Sequence, residues 1–339
     1  MTAVGLRPLL QLVAADPRNV TARLAQSLGI SRQAASARLR KALDEGLLTR
    51  EGRGAGVRYG LRATAEVSHS FEREGLSEER VWQQVLAPVV ADLPENVRDV
   101  WHYGLTEMIN NAVDHSGSQQ VHVGMRRNGL FTQAWVADDG EGIFLRIQRA
   151  LDLFDPREAI LELAKGKFTT DPANHSGEGI FFSSKVFDVF DIRSGRLHFA
   201  HDAGTVDVLF ERSATAPGTT VFMQLANDST RTTREVFDKF AAPEEYTFAK
   251  TLVPVRLAQH EGEKLVSRSQ AKRLTMRFER FQTVVLDFDS VAEIGQAFAD
   301  EVFRVFQLAH PQTTLVPVNM APGVKAMVSR ARAAARSRE

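Results

Sequence analysis

Val97-Arg-Asp-Val-Trp-His-Tyr-Gly-Leu-Thr-Glu107-Met-Ile-Asn-Asn111-Ala-Val-Asp-His115 is the stretch from which the rest of the chain can be ordered. Its apolar residues Val97, Val100, Trp101, Leu105, Met108, Ile109, Ala112 and Val113 recur at helical spacing, which predicts an amphipathic helix. On another face Glu107, Asn111 and Asp114 fall at i, i+4 and i+7, side by side on successive turns. A carboxylate one turn from an amide oxygen suits phosphate chemistry. The amide oxygen can ligate Mg²⁺ while the carboxylate orients or deprotonates a water. Alone, such a stripe is more often a solvated helix face, so the segments that follow decide its meaning.

Val121-His-Val-Gly-Met125 and Phe131-Thr-Gln-Ala-Trp-Val136 alternate as strands of a hairpin around Asn128-Gly129. The second strand runs into Ala137-Asp138-Asp-Gly140-Glu-Gly142-Ile143. Its glycines let backbone pass close to a ligand, and Asp138 can accept a hydrogen bond from an exocyclic amine. A calcium loop fails as an alternative, because its terminal acidic residue would fall near Ala150. A third piece, His175-Ser-Gly177-Glu-Gly179-Ile-Phe-Phe-Ser183, puts paired glycines before a helical segment, exposing N–H groups to phosphate. Between the two lies 144–174, with Lys165-Gly-Lys167-Phe-Thr-Thr170, an insertion expected to close as a lid. Pro217-Gly218-Thr219-Thr220 reads as a turn into a strand.

In this order, Glu107-x-x-x-Asn111-Ala112-x-x-His115, Asp138-x-Gly140-x-Gly142, Gly177-x-Gly179 and Gly218-Thr219-Thr220 resemble the motifs of the GHKL ATPase superfamily. That group includes type II topoisomerases, heat-shock chaperones, sensor histidine kinases, mismatch-repair ATPases and anti-sigma-factor serine kinases. The resemblance covers about residues 97–226 and implies a Bergerat α/β sandwich, helices layered on a mixed sheet, holding ATP and Mg²⁺. It implies that Asp138 binds the adenine amino group, Asn111 ligates Mg²⁺ and Glu107 positions the attacking water or hydroxyl. Gly140, Gly142, Gly177 and Gly179 would line the pocket, Thr219 or Thr220 would join the water network at the base, and Lys165 and Lys167 would reach in from the lid. Two departures stand out. Phe181 replaces a glycine common in the kinase version of the second loop. A basic head stands where a histidine kinase carries its phospho-acceptor helices, so histidine autokinase activity is not expected.

That head carries the charge that the totals conceal. The 339 residues hold 42 basic and 42 acidic side chains, a formal charge of zero. Residues 1–62 nevertheless contain eleven basic groups against four acidic ones, a balance of +7, and the last fifteen residues carry +4. The body between them must therefore be acidic. Residues 1–64 read as a winged helix-turn-helix. A first helix ends near Asp16-Pro17, Thr21 can cap a second, Gly29 makes the tight turn, Ile30 plugs the core and Ser31 caps a third. Ala34, Ala35, Leu39 and Leu43 would face inward on that third helix, leaving Arg32, Gln33, Ser36, Arg40 and Lys41 outside. Gly46 to Leu61 fits two strands around a glycine-rich wing bearing Arg50, Arg53 and Arg58. A cationic helix that opens with a polar turn can enter a major groove while wing arginines hold phosphates, so double-stranded DNA is the expected partner. Two heads, hence a homodimer, would suit palindromic half-sites.

Residues 65–96 read as a helical connector, with Ser77 capping a helix and Pro88 and Pro94 interrupting it. From 229 to 339 strands and helices alternate: 248–257, 270–281, Thr283–Phe288, Ile294–Phe306, 311–318 and a basic helix from Gly323. Alternation implies parallel pairing. The order, and Leu286-Asp-Phe-Asp-Ser-Val291, resemble a STAS-like domain related to anti-sigma-factor antagonists, which implies a protein partner. Those antagonists carry a phosphorylated hydroxyl at the start of the helix. Here Glu293-Ile-Gly-Gln-Ala297 has none, Ser290 being the nearest. Asp287, Asp289, Asp300 and Glu301 read as a solvated acidic edge.

The fold class expected is multidomain α/β: winged helix-turn-helix at 1–64, connector at 65–96, Bergerat α/β sandwich at 97–228 and STAS-like domain at 229–339. No run of about 18 apolar residues suggests a membrane span, and with no Cys there is no thiolate metal site or disulfide. A cytoplasmic location is expected. An ATP-responsive DNA-binding regulator and a serine/threonine kinase of a partner-switching pathway both remain open, with slow ATP hydrolysis or none.

Overall fold

Pro17 and Gly29 punctuate the head into three helices in the computed structural model, which describes residues 6–167, 177–202, 208–241, 248–259 and 263–336. They are α1 (Leu6–Ala15), α2 (Val20–Leu28) and α3 (Arg32–Asp44). Gly29, at φ 61°, closes α2 with its N–H on the Ala25 and Gln26 carbonyls, a left-handed turn that favours glycine. The Ser31 hydroxyl accepts from Ala34 N at 3.1 Å and so caps α3. The head of α2 differs from expectation: Asn19 is the capping position and Thr21 lies inside the helix. Ala35, Leu39 and Ala42 are the buried face of α3, while Ala34 and Leu43 are half-buried. Strands β1 (Leu48–Glu51) and β2 (Arg58–Leu61) pair antiparallel around the wing turn Gly54–Gly56. The head has a core of its own, built on Leu9, Leu10, Val13, Leu24 and Leu39.

The expected connector is in part the first strand of the body. β3 (Ala65–Glu72) pairs antiparallel with β4 (Gln120–Arg127) along its whole length. Only then does the chain turn helical, α4 (Glu78–Val81) running through a π-turn at Trp82–Leu86 into α5 (Ala87–Val90). The long helix α6 (Glu95–His115) follows, then β4 and β5 (Phe131–Asp138), whose Asn128 side chain accepts from Leu130 N and Phe131 N to form the hairpin turn. After α7 (Ile143–Ala150), α8 (Glu158–Lys165) and α9 (Gly179–Val186) come the long strands β6 (Val189–Asp202) and β7 (Val208–Ala226). The five strands lie in the order β3-β4-β5-β7-β6, each neighbouring pair antiparallel where the resemblance implied a mixed sheet. Val121, Val123, Met125, Ala134 and Val136 alternate onto the face covered by α6. Gly104 brings α6 close to α9: a Cβ there would meet the Phe187 ring at 2.4 Å.

α10 (Thr233–Phe240), assigned by sequence to the last domain, packs on the body instead, with Phe237 4.1 Å from Phe182 between ring centres. The C-terminal unit contains β8 (Lys250–Pro254), α11 (Arg268–Thr275), β9 (Thr283–Asp287), α12 (Gln296–Asp300), a π-turn into α13 (Gln307–Ala309), β10 (Thr314–Val318) and α14 (Pro322–Arg336). Its strands are parallel in the order β10-β9-β8, as strand–helix alternation predicts. Proline sits on both edge strands, at Pro254 and Pro317, where a missing N–H costs no ladder bond. Body and C-terminal unit share one continuous hydrophobic core.

Candidate nucleotide cavity and DNA-facing surface

On the head, all eight residues singled out for DNA are exposed: Arg32, Gln33, Ser36, Arg40 and Lys41 on α3, and Arg50, Arg53 and Arg58 on the wing. The head meets the body through another face. A Cβ on Gly129, at the hairpin tip, would lie 2.8 Å from Leu10 of α1, Leu130 packs into the head core, and Arg7 pairs with Asp228. Helix α3 is left open.

In the body, a cavity of about 390 Å³ opens between α6, the end of β5, α7 and the start of α9. Its size fits a small-molecule site, for which ~300–1,000 Å³ is usual. Glu107 and Asn111 of α6, Asp138 of β5, Gly142, Gly177, Gly179 and Thr219 all line it, although they come from four separate stretches of chain. Asp138 Oδ1 accepts from Gly140 N at 2.9 Å and Thr219 N at 3.2 Å. Burial pushes its carboxyl above the usual range, and those two N–H groups pull it part of the way back. The Thr219 hydroxyl in turn accepts from Ile143 N at 2.9 Å. A break in the β6–β7 register at Ser194/Gly195 lets Ser194 donate to the Gly218 carbonyl, and Gly218 at φ 65° turns Thr219 toward Asp138.

Two of the glycines serve contacts within the protein. A Cβ on Gly140 would lie 2.0 Å from the Ser116 carbonyl, so Gly140 lets the loop after β5 lie against the end of α6; it does not line the cavity. A Cβ on Gly179 would meet Glu107 Oε2 at 1.9 Å, so Gly179 admits that carboxylate to the first turn of α9. Burial and the Glu107 and Glu178 carboxylates push the neighbouring Tyr103 phenol up.

The other predicted residues lie elsewhere. Thr220 sits in β7, paired with Ala137 and Arg193, and Asp114 is exposed outside the cavity. The lid expectation is not met in its described part, because every residue of α8 is buried. Lys165 Nζ donates to Glu162 at 2.5 Å and to the Met276 and Arg273 carbonyls at 2.9 and 3.2 Å. Burial pulls its ammonium down and Glu162 pulls it back. Lys167 Nζ donates to the Arg280 carbonyl at 3.1 Å and stands over the Phe248 and Phe281 rings. Neither lysine lines the cavity; both attach the body to the C-terminal unit. Residues 168–174 of the expected lid, with His175 and Ser176, fall outside the described residues.

Arg146, His115 and Leu163 also line the cavity. The sequence signal for Arg146 was its place one turn after Gly142. Phe181, the residue replacing a third glycine, lines the cavity and packs on Phe248 at 4.6 Å, which makes that wall apolar.

In the C-terminal unit the acidic residues do not form one cluster. Asp300 pairs with Arg304, Glu301 stands 4.0 Å from Arg268, and Asp287 accepts from Asn319 and Asp289 N. Ser290, at φ 63°, donates to Asp289 at 3.0 Å, and Gly295 caps α12.

Comparison with known families matches two of these parts. Residues 8–49 match winged helix-turn-helix DNA-binding domains, and residues 270–325 match a STAS-like domain of unknown function. The body, for which the sequence motifs implied a GHKL ATPase, lies between the two matches, and no GHKL ATPase domain is detected there. No curated protein matches the chain. The chain is a multidomain α/β protein with a winged-helix head of the DNA-binding type, a sheet-built body and a STAS-like C-terminal unit. Among the described residues, no helix is long and apolar enough to cross a membrane.

Proposed function

We propose that the chain is an ATP-binding, DNA-binding regulator in which a GHKL-like pocket in the body controls the winged-helix head. The convergence of Glu107, Asn111, Asp138, Gly142, Gly177, Gly179 and Thr219 on one cavity carries this reading. Spacing alone could not require four distant stretches to meet. Asp138 Oδ2 would take the adenine amine, since both backbone bonds go to Oδ1. Asn111 offers Mg²⁺ one oxygen, and phosphate and water would complete the coordination, as this ion prefers. Glu107, against the first turn of α9, would orient a water or hydroxyl. On the DNA side, the α3 and wing cations would hold the major groove and flanking phosphates, two copies of the chain reading two half-sites.

A mobility-shift series on genomic fragments with ATP, ADP and no nucleotide tests the coupling. The shift is expected to change with nucleotide; indifference would sink the regulatory claim. Calorimetry tests the pocket separately: Asp138→Asn should abolish or sharply weaken ATP binding. A proton on Asp138 would sit on Oδ2, the oxygen left for the amine, and weaken it as an acceptor, and burial raises this carboxyl above the ordinary value of 3.8. ATP affinity should therefore fall on acidification at a higher pH than an exposed aspartate would dictate.

A second reading, a serine/threonine kinase acting on a STAS-type partner, is favoured by one observation: a STAS-like unit shares the wall of the cavity through α8. Transfer of labelled γ-phosphate to protein, lost in Asn111→Ala, would support it.

A further inference from the structure

Arg146 stands one turn beyond Gly142 on α7 and lines the cavity. Its guanidinium donates through one terminal nitrogen to the His115 carbonyl at the end of α6. Among the described residues no carboxylate pairs with it. Arg127 pairs with Asp92, Arg157 with Asp155, Arg277 with Glu162 and Arg304 with Asp300, whereas Arg73 and Arg98, like Arg146, donate to backbone carbonyls; of these three only Arg146 lines the cavity. A guanidinium has five N–H donors and keeps its charge at any ordinary pH, so partial burial without a counter-ion is unfavourable. The arrangement becomes favourable when the cavity receives an anion. Its other charged walls are the carboxylates of Glu107 and Asp138, which repel one. His115, whose carbonyl holds Arg146, is one turn beyond Asn111 on α6, and both Asn111 and Arg146 line the cavity.

We infer that Arg146 is the anion-binding residue of this cavity and that it takes the phosphate charge of the ligand. This rests on the nucleotide reading above. Arg146 thereby divides the labour with Asp138: the carboxylate selects the base and the guanidinium selects the phosphorylated form over the bare nucleoside. A purely structural role, fastening α7 to the end of α6, would affect nucleoside and nucleotide alike.

The two roles separate in calorimetry of the full chain with Mg²⁺ present, titrating ATP, ADP and adenosine into the wild type, Arg146→Lys and Arg146→Gln. Glutamine keeps N–H donors but carries no charge. The expected result is a loss of about tenfold or more in ATP and ADP affinity for Arg146→Gln, the scale of a charge-assisted hydrogen bond. Adenosine affinity should be unchanged, and Arg146→Lys should fall between. Unchanged ATP affinity in Arg146→Gln, or parallel losses for ATP and adenosine, would overturn the inference while leaving the nucleotide pocket intact. A wild type that binds neither ATP nor adenosine would overturn the pocket itself, and this assignment with it.

Discussion

The head and the C-terminal unit are joined to the same body by two different kinds of contact. The head has its own core and touches the body through Leu10 against Gly129, Leu130, and an ion pair between Arg7 and Asp228, whose side chains are 50% and 54% exposed. The C-terminal unit shares the body's core, and the contact contains charges that see no water. Glu162 accepts from Lys165 on its own helix and from Arg277 across the boundary at 2.9 Å. Arg277 also donates to the Gly166 and Lys167 carbonyls, and Arg273 to Glu158. Opposite faces of α8 therefore do different things: Leu163 faces the cavity while Glu162 and Lys165 hold the C-terminal unit. A wall shared in this way belongs to the pocket. A head attached through a small contact, whose ionic part is exposed, can be repositioned at less cost than the C-terminal unit, as the proposed coupling would require.

The largest effect should come from breaking the buried contact. Glu162→Ala leaves Lys165 and Arg277 without their carboxylate in a site closed to water. Removing one partner of a buried pair typically costs about 3–5 kcal/mol. Trp82, Trp101 and Trp135 all lie in the body, so tryptophan fluorescence during denaturation reports this transition and not that of the head. A loss below about 1 kcal/mol, the scale of exposed pairs, would erase the distinction between the two attachments. Replacing Glu162, Lys165 and Arg277 together by apolar residues of similar volume should cost much less than Glu162→Ala, since no buried charge would be left unpaired.

The same network shows where sequence reading stops. Ala159, Ile160, Leu161, Leu163 and Ala164 make α8 apolar around most of its circumference, a pattern that already argues for burial. The roles of Glu158, Glu162 and Lys165 are not legible there, and Lys165 reads as a lid residue, because their partners in the C-terminal unit lie more than a hundred residues away and only the fold brings them close. The cavity was legible for the converse reason: its motifs are local, and each keeps its spacing whatever the tertiary structure. β3 was lost because Ser68, His69 and Ser70 dilute an alternation carried by Val67 and Phe71, as an edge strand with one half-exposed face permits. Gly140 had a visible signal and a mistaken reason, since its neighbour is the Ser116 carbonyl.

A smaller effect belongs to the free face of the head. Arg40 is exposed on α3, away from the surface that meets the body. Arg40→Ala should weaken DNA binding and, if Arg40 holds a phosphate, lower the slope of log affinity against log salt by about 1. The fluorescence transition of the body should not move. If it did, the head and body would be one cooperative unit and the comparison would fail from the other side.

The smallest effect on stability, and the one that separates attachment from coupling most sharply, is expected from Arg7→Ala. An exposed pair contributes about 0–1 kcal/mol, so neither the head's fold nor the body's transition should change measurably. The orientation of the head is another matter, because few contacts set it and Arg7–Asp228 is the ionic one among those described. If ATP acts on DNA binding by favouring one head arrangement, it must do so through this boundary, and Arg7→Ala should shrink the difference between mobility shifts with and without ATP. Nucleotide affinity should stay as it was. Exchanging the charges, Arg7→Asp with Asp228→Arg, should restore the difference, since the pair would re-form with the opposite polarity. A nucleotide-dependent shift that survives Arg7→Ala at full size would locate the control elsewhere, in the α1–Gly129 contact or in the chain between β2 and β3. The thin boundary would then be a tether rather than the path by which the pocket reaches the head.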